Sequence, residues 1–335
     1  MLPCSPLAAV ARIRSITWSP SVTLVPTHGC FNACGYCGFR RPLQPAELQT
    51  GALADGLSEQ AAWARLVQRP AALEVLLLSG ELPPGSPGRP GWFHRLLLLS
   101  RLALAAGRLP HTNAGPLSRG EMAALGRLNP SMGLMLEGLG PAYDAQHRHA
   151  PSKGLLPRLT QLEQAGRLGI PFTTGLLLGV GESPAERRDA LELIALLQRN
   201  WGHIQEVILQ PYRPSQVPPE PLSTAEQHDL LGLIAEARRI LPPEVHLQLP
   251  PNLWPLDTLP DALEAGIDDL GGIDTDDVIN PAYPQPSPQA LAQRLAQAGW
   301  RLQPRLCVHD AWIPRLPSPL RRRVEALAPT PAGGC

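Results

Sequence analysis

Three of the six cysteines, Cys30, Cys34 and Cys37, stand within eight residues in the segment C-F-N-A-C-G-Y-C-G-F, Cys30 to Phe39. The other three, Cys4, Cys307 and Cys335, are scattered through the 335-residue chain. That clustering is wrong for a disulfide framework and suits a metal site in a reducing compartment. Three thiolates on one short loop can bind three irons of a cubane iron–sulfur cluster, leaving the fourth iron open to a chelating ligand from outside the protein. A zinc loop and a chance grouping are the alternatives. Structural zinc needs four ligands; no Cys-x-x-Cys or His-x-x-x-His partner lies elsewhere, although His28 is an arguable fourth ligand.

A loop of this kind needs a rigid seat. Apolar runs rich in Val, Leu and Ile alternate with helical patterns along nearly the whole chain, as successive β-α units do. Strands are predicted at Val22–Pro26, Leu73–Ser79, Leu109–Asn113, Met132–Glu137, Phe172–Leu178, Ile204–Gln210 and Val245–Leu249, with a weaker one at Asp269–Ile273. Helical segments fall between them, near Ser58–Gln68, Trp92–Ala106, Ser118–Leu128, Lys153–Leu168, Ser183–Gln198 and Thr224–Ile240, with a further pair near Asp257–Ala265 and Ser287–Ala298. Ser118 with Glu121, and Ser183 with Glu186, have capping-box spacing. Continuous apolar strands joined by helices must be covered on both faces, so the expected fold is α/β: a (β/α) TIM-type barrel, full or partial, of about eight β-α units. Chemistry in such a barrel gathers where the strands end. The cysteine loop follows the first predicted strand, Ser79-Gly80-Glu81 the second, Asn113 ends the third, Glu137 the fourth and Gln210 the sixth.

Composition narrows the function. Lys plus Arg equals Asp plus Glu at 29 each, so no global field favours nucleic acid or an anionic membrane, and a compact small-molecule substrate is the better expectation. The chain shows neither an uninterrupted apolar run long enough to span a bilayer nor an export signal, and a cytoplasmic location is expected. Residues 1–15 read as an N-terminal extension, 16–312 as the barrel, and 313–335 as a C-terminal tail that is partly disordered. Asp274, Asp276 and Asp277 offer carboxylates for a hard cation, against which stands the plainer reading of an acidic, solvated loop.

The triad, with Tyr36 directly before Cys37, resembles the signature of the radical S-adenosylmethionine (SAM) superfamily. The resemblance implies one [4Fe-4S] cluster on Cys30, Cys34 and Cys37, with SAM chelating the open iron and Tyr36 near the adenine. Ser79-Gly80-Glu81 is similar to the superfamily's G-G-E segment, which meets the amino group of SAM, with Ser79 replacing a glycine. Gly175-x-x-x-Gly179-x-x-Glu182 matches its G-x-I-x-G-x-x-E pattern, which implies cofactor contacts for Gly179 and Glu182. Glu137 at a strand end is a candidate for the SAM ribose or ammonium group; a helix cap or a surface charge explains it as well.

A narrower resemblance runs from about Ile16 to Leu306. H-T-N-A-G-P-L-S (His111–Ser118), N-P-S-M-G-L-M-L-E (Asn129–Glu137), P-F-T-T-G-L-L-L-G-V-G-E (Pro171–Glu182) and D-D-L-G-G-I (Asp268–Ile273) are similar to the first subunit of deazaflavin synthase, the CofG family. Trp18 stands where that family has Tyr. The resemblance implies a lyase that completes 7,8-didemethyl-8-hydroxy-5-deazariboflavin (FO), the chromophore of coenzyme F-420, from a hydroxybenzyl–ribityluracil adduct. Asn113, His149, Lys153 and Gln210 are then candidates for the uracil and ribityl groups. One cysteine triad implies that a companion radical SAM enzyme, the second FO synthase subunit, makes the adduct, and a reductant such as ferredoxin or flavodoxin is expected. The rivals are that companion coupling enzyme, a menaquinone-pathway relative, and a cluster-bearing binding or electron-transfer protein without SAM chemistry.

Overall fold

The computed structural model describes residues 14–214 and 219–328. Eight parallel strands close into a barrel: β1 (Arg14–Leu24), β2 (Glu74–Leu78), β3 (Leu109–Asn113), β4 (Ser131–Gly133), β5 (Phe172–Leu178), β6 (Ile204–Pro211), β7 (His246–Gln248) and β8 (Asp269–Ile273). Neighbours follow chain order and β8 pairs back with β1. Helices occupy Pro45–Thr50 (α1), Glu59–Gln68 (α2), Arg89–Ala105 (α3), Arg119–Leu125 (α4), Pro141–Gln146 (α5), Leu155–Arg167 (α6), Pro184–Trp201 (α7), Thr224–Ile240 (α8), Leu259–Ala265 (α9), Pro288–Gln297 (α10) and Ser318–Leu327 (α11). Both predicted capping boxes form, and Ser223 with Glu226 makes another at the start of α8. The main core lies between strands and helices, where Leu162, Phe172, Ile194, Val207 and Leu247 are buried. No described helix is long and apolar enough to cross a membrane.

β3, β5 and β8 span the ranges read from sequence. The first strand differs: it begins at Arg14 rather than Val22, because its early half finds a partner the apolar pattern does not show. A ninth strand, β9 (Trp300–Pro304), pairs with Arg14 to Trp18, after which β1 passes to β8 and then to β2. The predicted strand Met132–Glu137 is also shorter as a ladder. Beyond Gly133 the Thr174 hydroxyl accepts from the Leu136 amide (3.2 Å), and Glu137 rejoins through a single bridge to Leu176 with φ at 72°.

The chain beyond β9 seals the floor of the barrel. Ser131 Oγ and Gln205 Nε2 donate to the Cys307 carbonyl at 2.7 and 3.0 Å, and Gln205 Oε1 accepts from the His309 amide. Leu306, Val308, Trp312, Leu316, Leu320 and Val324 then pack with Leu109. The stretch from 313 to 327, expected as tail, therefore includes α11 and contributes to a core; residues 329–335, where disorder is expected, and residues 1–13 lie outside the described residues.

Candidate functional site

The cysteine loop is anchored from several sides. Thr27 and the His28 amide bond to Asp55, which with Glu47 grips the Arg41 guanidinium at 2.8 and 2.7 Å. Gly29–Cys30 pairs with Arg41–Pro42 in a short parallel ladder. The Phe31 amide donates to the Glu81 carbonyl (3.0 Å), the Ala33 amide to the His149 carbonyl (2.7 Å) and the Gly35 amide to the Gln146 carbonyl (2.8 Å). Asn32, buried, exchanges two hydrogen bonds with Ser152. Main-chain contacts from three different β-α units thus fix a loop with little regular structure of its own, which is how a scaffold preorganises ligands.

Gly80 is explained by this seating. A Cβ there would lie 2.2 Å from the Gly29 carbonyl oxygen, so the Ser79-Gly80-Glu81 turn needs glycine for the cysteine loop to sit on it. The Ser79 hydroxyl, present where the motif has glycine, and the Gly80 carbonyl both accept from the Trp92 indole, at 3.1 and 3.0 Å.

A cavity at the carboxyl ends of the strands is lined by Cys30, Cys34 and Cys37 together with Tyr36, Ser79, Gly80, Glu81, Glu137, Asn113, Lys153 and Gln210. The structure therefore gathers most of the candidates named from sequence. Glu137, 5% exposed, pairs with Lys153. Burial alone would raise its carboxyl, but the Lys153 ammonium and the Arg158 guanidinium outweigh that and hold it below the ordinary value. Its positive φ is the only one at a non-glycine among the described residues, a backbone conformation that persists where the surroundings impose it. The Tyr36 hydroxyl is 3.1 Å from His147 Nε2, and the Lys153 ammonium lies 5.9 Å from the centre of its ring. Burial pushes the Cys34 thiol up to about 11, against the pull of Lys153. An unmetallated Cys34 is thus protonated at neutral pH, and a metal must displace that proton to bind.

Three candidates fall elsewhere. The His149 side chain is exposed and outside the cavity; its carbonyl, not its imidazole, matters, as an anchor for Ala33. Glu182 turns away from the cavity and accepts from the Gly179 and Val180 amides (2.7 and 2.8 Å) and from Arg187 Nε (2.8 Å). Gly179, at φ 94°, belongs to that turn and is likewise absent from the lining. Asp274 and Asp277 organise the rim loop, accepting from the Thr23 amide (2.7 Å) and from the Ile279 and Asn280 amides (2.8 and 2.9 Å); Asp276 is exposed.

Gly175 answers to packing between strands, since a Cβ there would stand 2.4 Å from the Ile208 carbonyl oxygen on β6. Gly175→Ala is expected to cost about 1–3 kcal/mol through overpacking, read as a lower urea midpoint with unchanged slope.

Two residues of the site escape the sequence. His147 is half-buried beside Glu137, and desolvation holds it near 4, so it is neutral at pH 7. Arg158 is 2% exposed and lines the cavity, with Nε and Nη2 lacking any hydrogen-bond partner among the described residues. A buried guanidinium left unsatisfied is costly, and a carboxylate arriving in the cavity would satisfy it in bidentate fashion. Three thiols, the Arg158 guanidinium with two unsatisfied nitrogens and the Glu81 carboxyl around one cavity fit an iron–sulfur cluster.

No protein-family model matches the sequence. Among solved structures, methylornithine synthase is similar in fold, with a TM-score of 0.61 at 14% identity over 86% of this chain and 84% of that one. Among curated proteins, the 7,8-didemethyl-8-hydroxy-5-deazariboflavin synthase of Thermosynechococcus vestitus is 48% identical over 320 residues, 94% of this chain and 98% of the relative. That of Synechococcus elongatus is 50% identical over 318 residues, 93% of this chain and 91% of the relative. With identity at this level over nearly its whole length, the chain belongs to the 7,8-didemethyl-8-hydroxy-5-deazariboflavin synthase family.

Proposed function

We propose that this chain completes the 5-deazaflavin ring of FO from the hydroxybenzyl–ribityluracil adduct, with loss of ammonia and a net oxidation. The observation that carries the reading is the convergence of Cys30, Cys34 and Cys37 on a cavity that also holds the buried Arg158, whose Nε and Nη2 have no hydrogen-bond partner among the described residues. Cys30, Cys34 and Cys37 would hold a [4Fe-4S] cluster with SAM beside it, and together these groups would supply the radical chemistry that abstracts hydrogen from the substrate.

The chain's own residues bind, orient and exclude. Arg158 holds the carboxylate of SAM, and Glu81 with the Gly80 turn meets its amino group. Tyr36, kept in place by His147 and Lys153, packs beside the adenine. Glu137, restrained by Lys153, accepts from the ribose hydroxyls. Asn113 and Gln210, at the ends of β3 and β6, face the uracil ring from opposite sides of the mouth. The adduct comes from a companion radical SAM enzyme, and a ferredoxin- or flavodoxin-type protein delivers the electron.

The test is an anaerobic assay of cluster-reconstituted protein with SAM, dithionite and the adduct, scoring 5′-deoxyadenosine and deazaflavin fluorescence together. Both products are expected. Formation of 5′-deoxyadenosine without the fluorophore would overturn the substrate assignment, and neither product from cluster-loaded protein would overturn the reading as a whole.

A further inference from the structure

Below the cysteine-lined cavity a second chamber continues into the barrel, the two sharing Leu78, Asn113, Met135, Gln210, Ile279 and Asn280. Inward-facing residues alternate along each strand, which sets Glu74, Leu76 and Leu78 on β2 and Glu206, Ile208 and Gln210 on β6 at three levels. Four residues at about 3.3 Å each, along strands tilted by about 36° to the barrel axis, put the floor roughly 11 Å beneath the rim. The wall is unusually polar for a barrel interior: Glu74, His111, Thr173, Glu206, Gln248 and Arg305 all line it.

His111 is the informative member. It is 9% exposed, pairs in register with Leu76, and so stands halfway down. The Ser131 hydroxyl has one proton, donated to the Cys307 carbonyl at 2.7 Å, so at 2.7 Å from His111 Nδ1 it can only accept. That fixes the Nδ1–H tautomer and leaves Nε2 as an acceptor. Nε2 faces the space beside Gly133, where a Cβ would come within 2.9 Å of it; glycine keeps that approach open. Desolvation holds His111 near 4, so the lone pair persists at neutral pH. On the opposite wall Gln248 lies level with Ile208, and at the floor Glu74, buried, receives a hydroxyl bond from Ser21 at 3.2 Å. An acceptor held ready at mid-depth, an amide facing it and a carboxyl below suit a chain of hydroxyl groups, each of which can donate and accept.

We propose that the ribityl chain of the substrate descends into this chamber, one hydroxyl donating to His111 Nε2 and others meeting Gln248 and Glu74, while the rings stay at the rim between Asn113 and Gln210. This rests on the FO-forming reading and deepens it: the chamber assigns the polyol end of the substrate and makes His111 a specificity-determining residue. The orientation also presents the benzylic bridge, and not the sugar-like tail, to the cysteine-lined cavity.

The experiment compares the adduct with an analogue carrying methyl in place of ribityl. In the wild type the methyl analogue is expected to show a KM higher by roughly tenfold or more, since a polar site left unpaired rejects a ligand lacking the hydroxyls. His111→Phe should raise the KM of the ribityl adduct toward that of the analogue, leave the analogue's KM unchanged and retain most of kcat. Gly133→Ala, which keeps His111 but fills the approach to Nε2, should do the same, so the result does not depend on one variant folding. Equal KM values for the two compounds in the wild type, or variants that raise both alike, would overturn the tail assignment while leaving FO formation intact. No deazaflavin from either compound with cluster-loaded wild type would overturn the underlying reading, and this assignment with it.

Discussion

Cys34→Ala is expected to bring both 5′-deoxyadenosine and FO formation down to the level of the cluster-free protein. Iron and acid-labile sulfide should fall with them after anaerobic reconstitution. The size of the effect follows from the ligand count. On the proposed reading three thiolates are the whole protein contribution to the cluster, and the other cysteine among the described residues, Cys307, is buried at the barrel floor, far down the lumen from the mouth. Removing Cys34 also takes away a thiol on which the charges of the Lys153–Glu137 pair both bear. The fold itself should survive. The loop is held by main-chain bonds from Phe31, Ala33 and Gly35 and by the Asn32–Ser152 exchange, none of which uses the Cys34 sulfur. Metal-free wild type and variant should therefore melt alike, and Cys307→Ala should retain its iron. Retention of the cluster absorption by Cys34→Ala would remove the thiol from the ligand set.

What could be read from the sequence, and what could not, divides along a physical line. The triad is legible because its three cysteines are close in the chain and the surrounding structure only has to hold them. β5 is legible because a strand buried along its whole length must be apolar throughout, as Phe172–Leu178 is apart from its threonines and Gly175. β9 is half-exposed, so Trp300–Pro304 carries no such run. The choice between His147 and His149 turns on which way two side chains on one short segment point, and only the packing of α5 against the cysteine loop decides it. Arg158 sits among leucines in a helix that reads as amphipathic, and its burial follows from where α6 docks rather than from its own position in the pattern. Glu182 shows the converse: a residue marked by a motif that acts in this structure by bracing a turn. The polar lumen was not legible: Glu74, His111 and Glu206 lie within strands, and a polar residue within a strand does not declare which face it occupies until the barrel closes.

Arg305→Met is expected to destabilise the chain by about 3–5 kcal/mol, the cost of leaving a buried carboxylate without its cation. Arg305 bonds Asp269 through two nitrogens at 2.5 and 2.6 Å and reaches Glu206 at 2.7 Å; both carboxylates are buried and the Arg305 side chain is 10% exposed. One guanidinium cannot neutralise both carboxylates. Desolvation works against the charge on each, and Arg305, which favours it, serves Asp269 through two bonds and Glu206 through one. Asp269 therefore lies below its ordinary range, while Glu206 is raised by burial and by the neighbouring Asp269 charge. The variant should betray this arrangement in its pH dependence. In the wild type the depressed Asp269 contributes stability that is present above its unfolded value and lost as pH falls through the lower folded value. Without Arg305 burial dominates, and the folded-state value of Asp269 moves above the unfolded one. The folded state then binds the extra proton, and stability falls as pH rises through that window. Urea midpoints of wild type and variant should therefore differ most at pH 8 and converge toward pH 5. Arg305→Lys should recover only part of the loss, because an ammonium cannot reproduce the two parallel bonds to Asp269 while still reaching Glu206. A deficit of the same size at both pH values would mean that Arg305 acts through packing of its stem and not through its charge.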